Sequence, residues 1–326
     1  MKSINNIYSN LSATYQQYLK QSIIINKKLK QSNLNQQPIV GVLAQKLSES
    51  QTNIAGTSYI SAGYIKYVEM SGARVVPILT NITEEELRSL FGKINGVIFP
   101  GGDVDLMHSS YRKNAEIIFN LAKLEFENGG YFPILGTCLG FQALSVLVAN
   151  TDNVIEPCKG LDDVSMNLKF NGDLGRMFKE APEKILDILK NEPVTYNSHY
   201  NCVTTNMYKK TSSLQNFFRV LSTNKAEDGT EFISTYEARF YPFYATQWHP
   251  EENVFEFPIA ESGESTINHS YEAITISQYM SNFFVNECRK SNHQFTNKEE
   301  ERKSLIYNYP ILYIEPQGGF EQIYVF

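Results

Sequence analysis

The sequence predicts an α/β fold, a doubly wound and mostly parallel central sheet with helices on both faces and antiparallel strands added at one edge. Three observations predict it. Short apolar runs without alternation recur through the first half, as strands buried on both faces require. Helix-like segments separate them, which calls for crossover connections between parallel strands. From about residue 160 strand-like pieces follow one another instead.

The candidate parallel strands are PIVGVLA (38–44), RVVPIL (74–79), GVIFP (96–100) and FPILGT (132–137). Between them SYISAGYIKYVEMSG (58–72), TEEELRSLFGKI (83–94) and YRKNAEIIFNLAKLEFENGG (111–130) read as helices. Thr83 followed by an acidic first turn is an N-cap signal. The second half adds VSMNLKF, FFRVLSTNKA, EFISTYEA and FYATQWH, expected as antiparallel edge strands, and a closing helix over 271–291. Residues 1–37, rich in Asn, Gln, Ser and Lys, read as a tail or a loosely docked helix. Without an internal repeat or a low-complexity linker, 38–326 is expected to be one domain.

With 42% hydrophobic residues, a chain of 326 residues can bury a sizeable core. A net charge of -6, and no basic cluster longer than NKKLK, argue against nucleic acid as a partner. The four cysteines, Cys138, Cys158, Cys202 and Cys288, show no C-x-x-C spacing, so neither a zinc site nor a disulfide framework is expected. No apolar run approaches the roughly 18 residues of a membrane-spanning helix. The first thirty residues lack a signal-type apolar core, which leaves a cytosolic location open. Sequons at Asn10, Asn81 and Asn268 are what chance supplies in an Asn-rich chain.

The segment FPILGTCLGFQALSVLVAN (132–150) carries the chemistry. A buried strand that meets a helix through G-T-C-L-G is a nucleophile elbow, in which the central residue takes a strained backbone and the glycines relieve crowding. Cys138 is expected to stand exposed at the carboxyl end of a parallel strand, with the following helix N-terminus favouring its thiolate. A thiolate needs a base, and of the five histidines His249 sits in WHPE at the end of an apolar strand. Residues two apart on a strand share a face, so Glu251 is expected to orient His249 while His249 serves Cys138. FPGGDVD (99–105) ends another strand at the same edge, so N–H groups of Gly101 or Gly102, with that of Leu139, are oxyanion-hole candidates.

Together G-T-C-L-G-F-Q, F-P-G-G and W-H-P-E resemble the class I glutamine amidotransferase-like superfamily, of flavodoxin-like architecture. GTSYISAGYIKYVEMSGARVVPI, INGVIFPGGDVDL, EFISTYEARFYPFYATQWHPE and SQYMSNFFVNECRKSNHQF resemble the γ-glutamyl hydrolases within it, from about Pro38 to Phe326. The resemblance implies a cysteine peptidase that hydrolyses γ-glutamyl bonds of poly-γ-glutamyl folates and antifolates through a thioester. It gives Cys138 as nucleophile, His249 as base and acid, Glu251 as orienting carboxylate and His199 as a residue of the substrate cleft. It implies no cofactor, a possible homodimer, and a lysosomal, vacuolar or extracellular location. One departure is Gln142, where the hydrolases often have Glu; a neutral amide there is expected to hydrogen-bond substrate. Cations or N–H donors are also expected around Cys138, because the substrate tail is polyanionic. The competing readings are a glutaminase domain feeding ammonia to a synthetase and an inactive folate-polyglutamate binding protein.

Overall fold

A computed structural model describes residues 34–47, 54–257, 267–314 and 320–326, together with Gln16, Gln17, Lys20, Gln21 and Ile24. The expectations for Asn10 and for most of 1–37 lie outside those residues. The central sheet has eight strands: β1 (Ile39–Leu43), β2 (Arg74–Ile78), β3 (Gly96–Phe99), β4 (Ile134–Thr137), β5 (Lys169–Phe170), β6 (Phe218–Lys225), β7 (Glu231–Ala238) and β8 (Phe243–Thr246). Their order is β2-β1-β3-β4-β8-β7-β6-β5. The first five in that order run parallel, and β7, β6 and β5 extend them antiparallel.

Both faces of the parallel part are buried, which is why its strands read as unbroken apolar runs. Within β1, Ile39 and Leu43 join one core cluster while Val40 and Val42 join the other. Helices α1 (Ala62–Glu69), α5 (Glu183–Asn191) and α6 (Tyr271–Cys288) pack on the Val40 side. Helices α2 (Glu84–Phe91), α3 (Ser110–Glu127) and α4 (Leu139–Ala149) pack on the Ile39 side. Thr83 and Glu86 close a capping box at the start of α2.

Three expectations are corrected. Residues 58–61 form a strand rather than the first turn of a helix, because Tyr59, Ile60 and Ser61 pair with the distant C-terminal strand Gln322–Val325. FYATQWH contributes β8, which is not an antiparallel edge strand: it pairs in parallel with β4 at the middle of the sheet. VSMNLKF divides into Val164–Met166, which pairs with Thr195–Asn197 in a separate ribbon, and β5.

A disulfide also joins Cys158 to Cys202, against the expectation of none, with Cα atoms 5.8 Å apart. The 44 residues between them are brought back by antiparallel pairing of Glu156–Pro157 with Asn201–Cys202. Only tertiary structure creates that proximity.

Candidate active site

Strand β4 ends at Thr137 and α4 begins at Leu139, so Cys138 alone makes the turn. Its φ of 50° and ψ of -105° are rarely adopted by a residue with a side chain, a strain of order 1–3 kcal/mol. The glycines permit it. A Cβ on Gly136 would lie 2.6 Å from the Gly140 carbonyl oxygen, and one on Gly140 would overlap the Phe99 carbonyl. The Cys138 N–H donates to the Thr246 carbonyl at 2.9 Å, which ties the turn to the end of β8. The side chain is not exposed as expected: Cys138 is 5% accessible and lies recessed in a cleft.

His249 stands three residues beyond β8. Its N–H donates to the Tyr196 carbonyl at 2.8 Å, an isolated bridge to the ribbon strand Thr195–Asn197. The ring Nδ1 lies 2.8 Å from Glu251 Oε1 and 3.0 Å from Glu252 Oε1. The expected His–Glu contact is present, but a strand face does not make it. Glu251 has helical angles and caps the short helix Glu252–Phe255, so a turn through Pro250 folds its carboxylate back. Nε2, on the other side of the ring, has no hydrogen-bond partner among the described residues although His249 is buried.

Gly101 shows how near the thiol and the imidazole are. A Cβ there would lie 2.7 Å from His249 Cε1 and 3.2 Å from Cys138 Cβ, so both side chains flank one glycine. Burial would lower the pKa of His249, but the charges of Glu252, Cys138 and Glu251 outweigh it and hold the imidazole well above its ordinary value.

The oxyanion candidates divide. The Gly101 N–H donates to the Tyr64 hydroxyl at 2.7 Å, and the Gly101 carbonyl accepts from Gln45 Nε2 at 2.5 Å. Gly102, next in the loop, and Leu139, at the first position of α4 where N–H groups have no intrahelical partner, remain for that role.

His199 and Gln142 meet at the carbonyl of Asn201, which lies 3.0 Å from His199 Nδ1 and accepts from Gln142 Nε2 at 2.9 Å. His199 Nε2 lies 3.2 Å from Asn197 Oδ1. The sequence alone favours a solvent-facing loop histidine here; His199 is instead 4% accessible. Burial, with the nearby His249, lowers its pKa to about 3, so it is a neutral member of the cleft wall.

The cleft has a volume of about 640 Å³. Among the described residues its acidic lining consists of Asp103, Asp105, Asp152, Asp162 and Glu252, and neither Lys nor Arg stands beside them. Of the expected cations or N–H donors, the described lining offers an anion the His249 imidazole together with N–H, amide and hydroxyl groups. The sequence reading missed Glu252, Tyr64 and Asn201. An acidic doublet after His-Pro was visible for the first; the other two act through their positions in space.

His249, Glu251 and Glu252 place potential metal-ligand atoms within 4.8 Å of one another. Glu251 hydrogen-bonds the imidazole Nδ1 and Glu252 makes a second ion-pair contact with it, so the three read as one charged set.

The doubly wound sheet with a strained cysteine at the strand-to-helix corner defines a protein of the class I glutamine amidotransferase-like fold. Among solved structures, the glutaminase domain of Trypanosoma brucei CTPS with bound acivicin is similar in fold: TM-score 0.50, 14% identity, covering 78% of this chain and 95% of that one. The family model for Peptidase C26 matches residues 38–251, and the chain belongs to that family. It is 41% identical over 297 residues to the gamma-glutamyl hydrolase of Homo sapiens, covering 89% of each chain. It is 40% identical over 307 residues to gamma-glutamyl hydrolase B of Dictyostelium discoideum, covering 93% of this chain and 87% of that one.

Proposed function

We propose that this protein is a γ-glutamyl hydrolase acting on poly-γ-glutamyl folates and antifolates, with Cys138 as nucleophile. The observation that carries the reading is a buried His249 beside Cys138, its Nε2 without a hydrogen-bond partner among the described residues and its Nδ1 held by carboxylates. The Cys138 thiolate attacks the γ-carbonyl carbon, and the oxyanion accepts hydrogen bonds from the N–H groups of Gly102 and Leu139. As the C–N bond breaks, His249 gives its proton to the leaving amine, and a thioester remains on Cys138. Water then attacks the thioester, His249 takes a proton from it, and the thiolate leaves. Glu251 holds the imidazole in orientation throughout.

Recognition of a polyanionic tail by a wall with neither Lys nor Arg among its described residues falls to N–H donors, to the Gln142 amide and to the neutral His199. The disulfide supports work in an oxidising compartment such as a lysosome, a vacuole or the cell exterior. Unreduced, denatured protein should then titrate two thiols, Cys138 and Cys288. The exposed apolar residues Ile311, Leu312 and Tyr313 on one edge strand support a homodimer, which light scattering checks. The test of the function is kcat/KM for diglutamyl folate beside that for glutamine. A clear preference for the folate supports the reading, and a preference for glutamine with release of ammonia replaces it by a glutaminase.

A further inference from the structure

Two carboxylates converge on the one N–H that His249 Nδ1 can offer, Glu251 Oε1 at 2.8 Å and Glu252 Oε1 at 3.0 Å. Orienting an imidazole needs one acceptor. The second adds no donor, and burial together with Glu251 raises its own pKa, so its negative charge depends on a positive ring to counter them. Such a pair is stable when the ring carries its second proton, because the imidazolium then offsets both charges in a medium of low dielectric. The two are not equivalent: Glu252 lines the cleft beside Cys138, while Glu251 is sealed behind the imidazole.

We propose that Glu252 is a positioning residue whose carboxylate holds His249 as imidazolium and so sets the upper pH limit of the Cys138–His249 pair. This rests on the roles given above to Cys138 and His249. The other titratable groups facing Glu252 are Glu251 in the same turn, Asp163 in the loop before Val164–Met166, Tyr196 on the ribbon, and Glu256 at the end of the short helix. The Tyr196 hydroxyl donates to Asp163 at 3.0 Å. None of these supplies a positive charge, so among the described residues His249 is the cation Glu252 faces.

The sign follows directly. Leaving-group protonation needs the imidazolium and is lost as pH rises through the His249 pKa. Removing the Glu252 charge lowers that pKa and brings the loss to lower pH. The test is a nuclear magnetic resonance titration of the histidine ring in the full chain, for the parent, Glu252→Gln and Glu252→Asp, with the His249 signal assigned from His249→Ala. The alkaline limb of kcat/KM on diglutamyl folate is recorded alongside. The Gln variant should titrate lower by about one pH unit or more, its alkaline limb should move equally, and the Asp variant should fall between. An His249 pKa that is the same in the parent and the Gln variant overturns the proposal. Should Glu252→Gln fail to fold by circular dichroism, Glu252→Ala takes its place, and an unshifted His249 pKa in that variant overturns the proposal. If the parent lacked γ-glutamyl turnover, the assigned function would fail while the ring titration still decided the role of Glu252.

Discussion

Strands β1 to β4 and β8 run parallel through the middle of the sheet, covered by helices on both sides, and they end at Cys138, Gly101 and the His249 turn. The opposite wall of the cleft stands on ribbons whose strands are two or three residues long, Glu156–Pro157 with Asn201–Cys202 and Val164–Met166 with Thr195–Asn197. The groups proposed to react are thus held by the core. The wall is held by a disulfide and by hydrogen bonds converging on one carbonyl. Chemistry that tolerates little misplacement sits on rigid elements, and recognition sits on pieces that can vary without disturbing the core.

The largest effect should come from the core side. Cys138→Ala is expected to lower kcat by about three orders of magnitude or more with its melting temperature nearly unchanged, because one small side chain in a cleft packs little. Substantial turnover by the folded variant would break the division. Within the same region, His249→Ala should cost at least about tenfold more in kcat than Glu251→Ala, since one group transfers protons and the other orients it. The reverse order would exchange their roles.

On the wall side, replacing both Cys158 and Cys202 by Ser should destabilise the protein by about 3–4 kcal/mol, as opening a loop of this length predicts. Denaturant unfolding measures it. The folded remainder should show a raised KM and a kcat near that of the parent; a collapse of kcat instead would mean that the ribbon positions the reacting groups too.

The smallest effect expected is that of His199→Asn, a severalfold rise in KM for diglutamyl folate without a shift of the pH profile, because His199 is neutral across the working range. Its stability effect has a definite sign. With the folded pKa near 3 and the ordinary value at 6.5, the unfolded chain binds this proton first as pH falls. His199 therefore costs stability progressively between those values, and the Asn variant should lose less on acidification. A parent and a variant that lose stability in parallel would show that His199 is charged in the folded state.

Much of the core region was legible in the sequence. Parallel strands betray themselves as apolar runs, and an elbow turn demands glycines at set offsets, so the identity of Cys138 followed from local chemistry. FYATQWH was legible as a strand but not as a parallel one, because pairing direction depends on the partner that the chain returns to. The wall was scarcely legible. Its strands are too short to show a period, and Asn201 acts through its backbone carbonyl, which any residue carries.

By itself the sequence determined the layered α/β architecture, the strained cysteine at a strand end and the His-Pro-Glu stretch that accompanies it. All depend on interactions among residues near in the chain: side-chain period, turn strain and helix capping. Tertiary structure alone decided that Cys158 meets Cys202, that Glu252 joins Glu251 on His249, that the Gly101 N–H belongs to Tyr64, and that the cleft is lined, among the described residues, by acids with neither Lys nor Arg. Those outcomes depend on which distant segments share a volume, and burial and low dielectric, which set the charge state of His249 and His199, do not exist until the chain has closed around them.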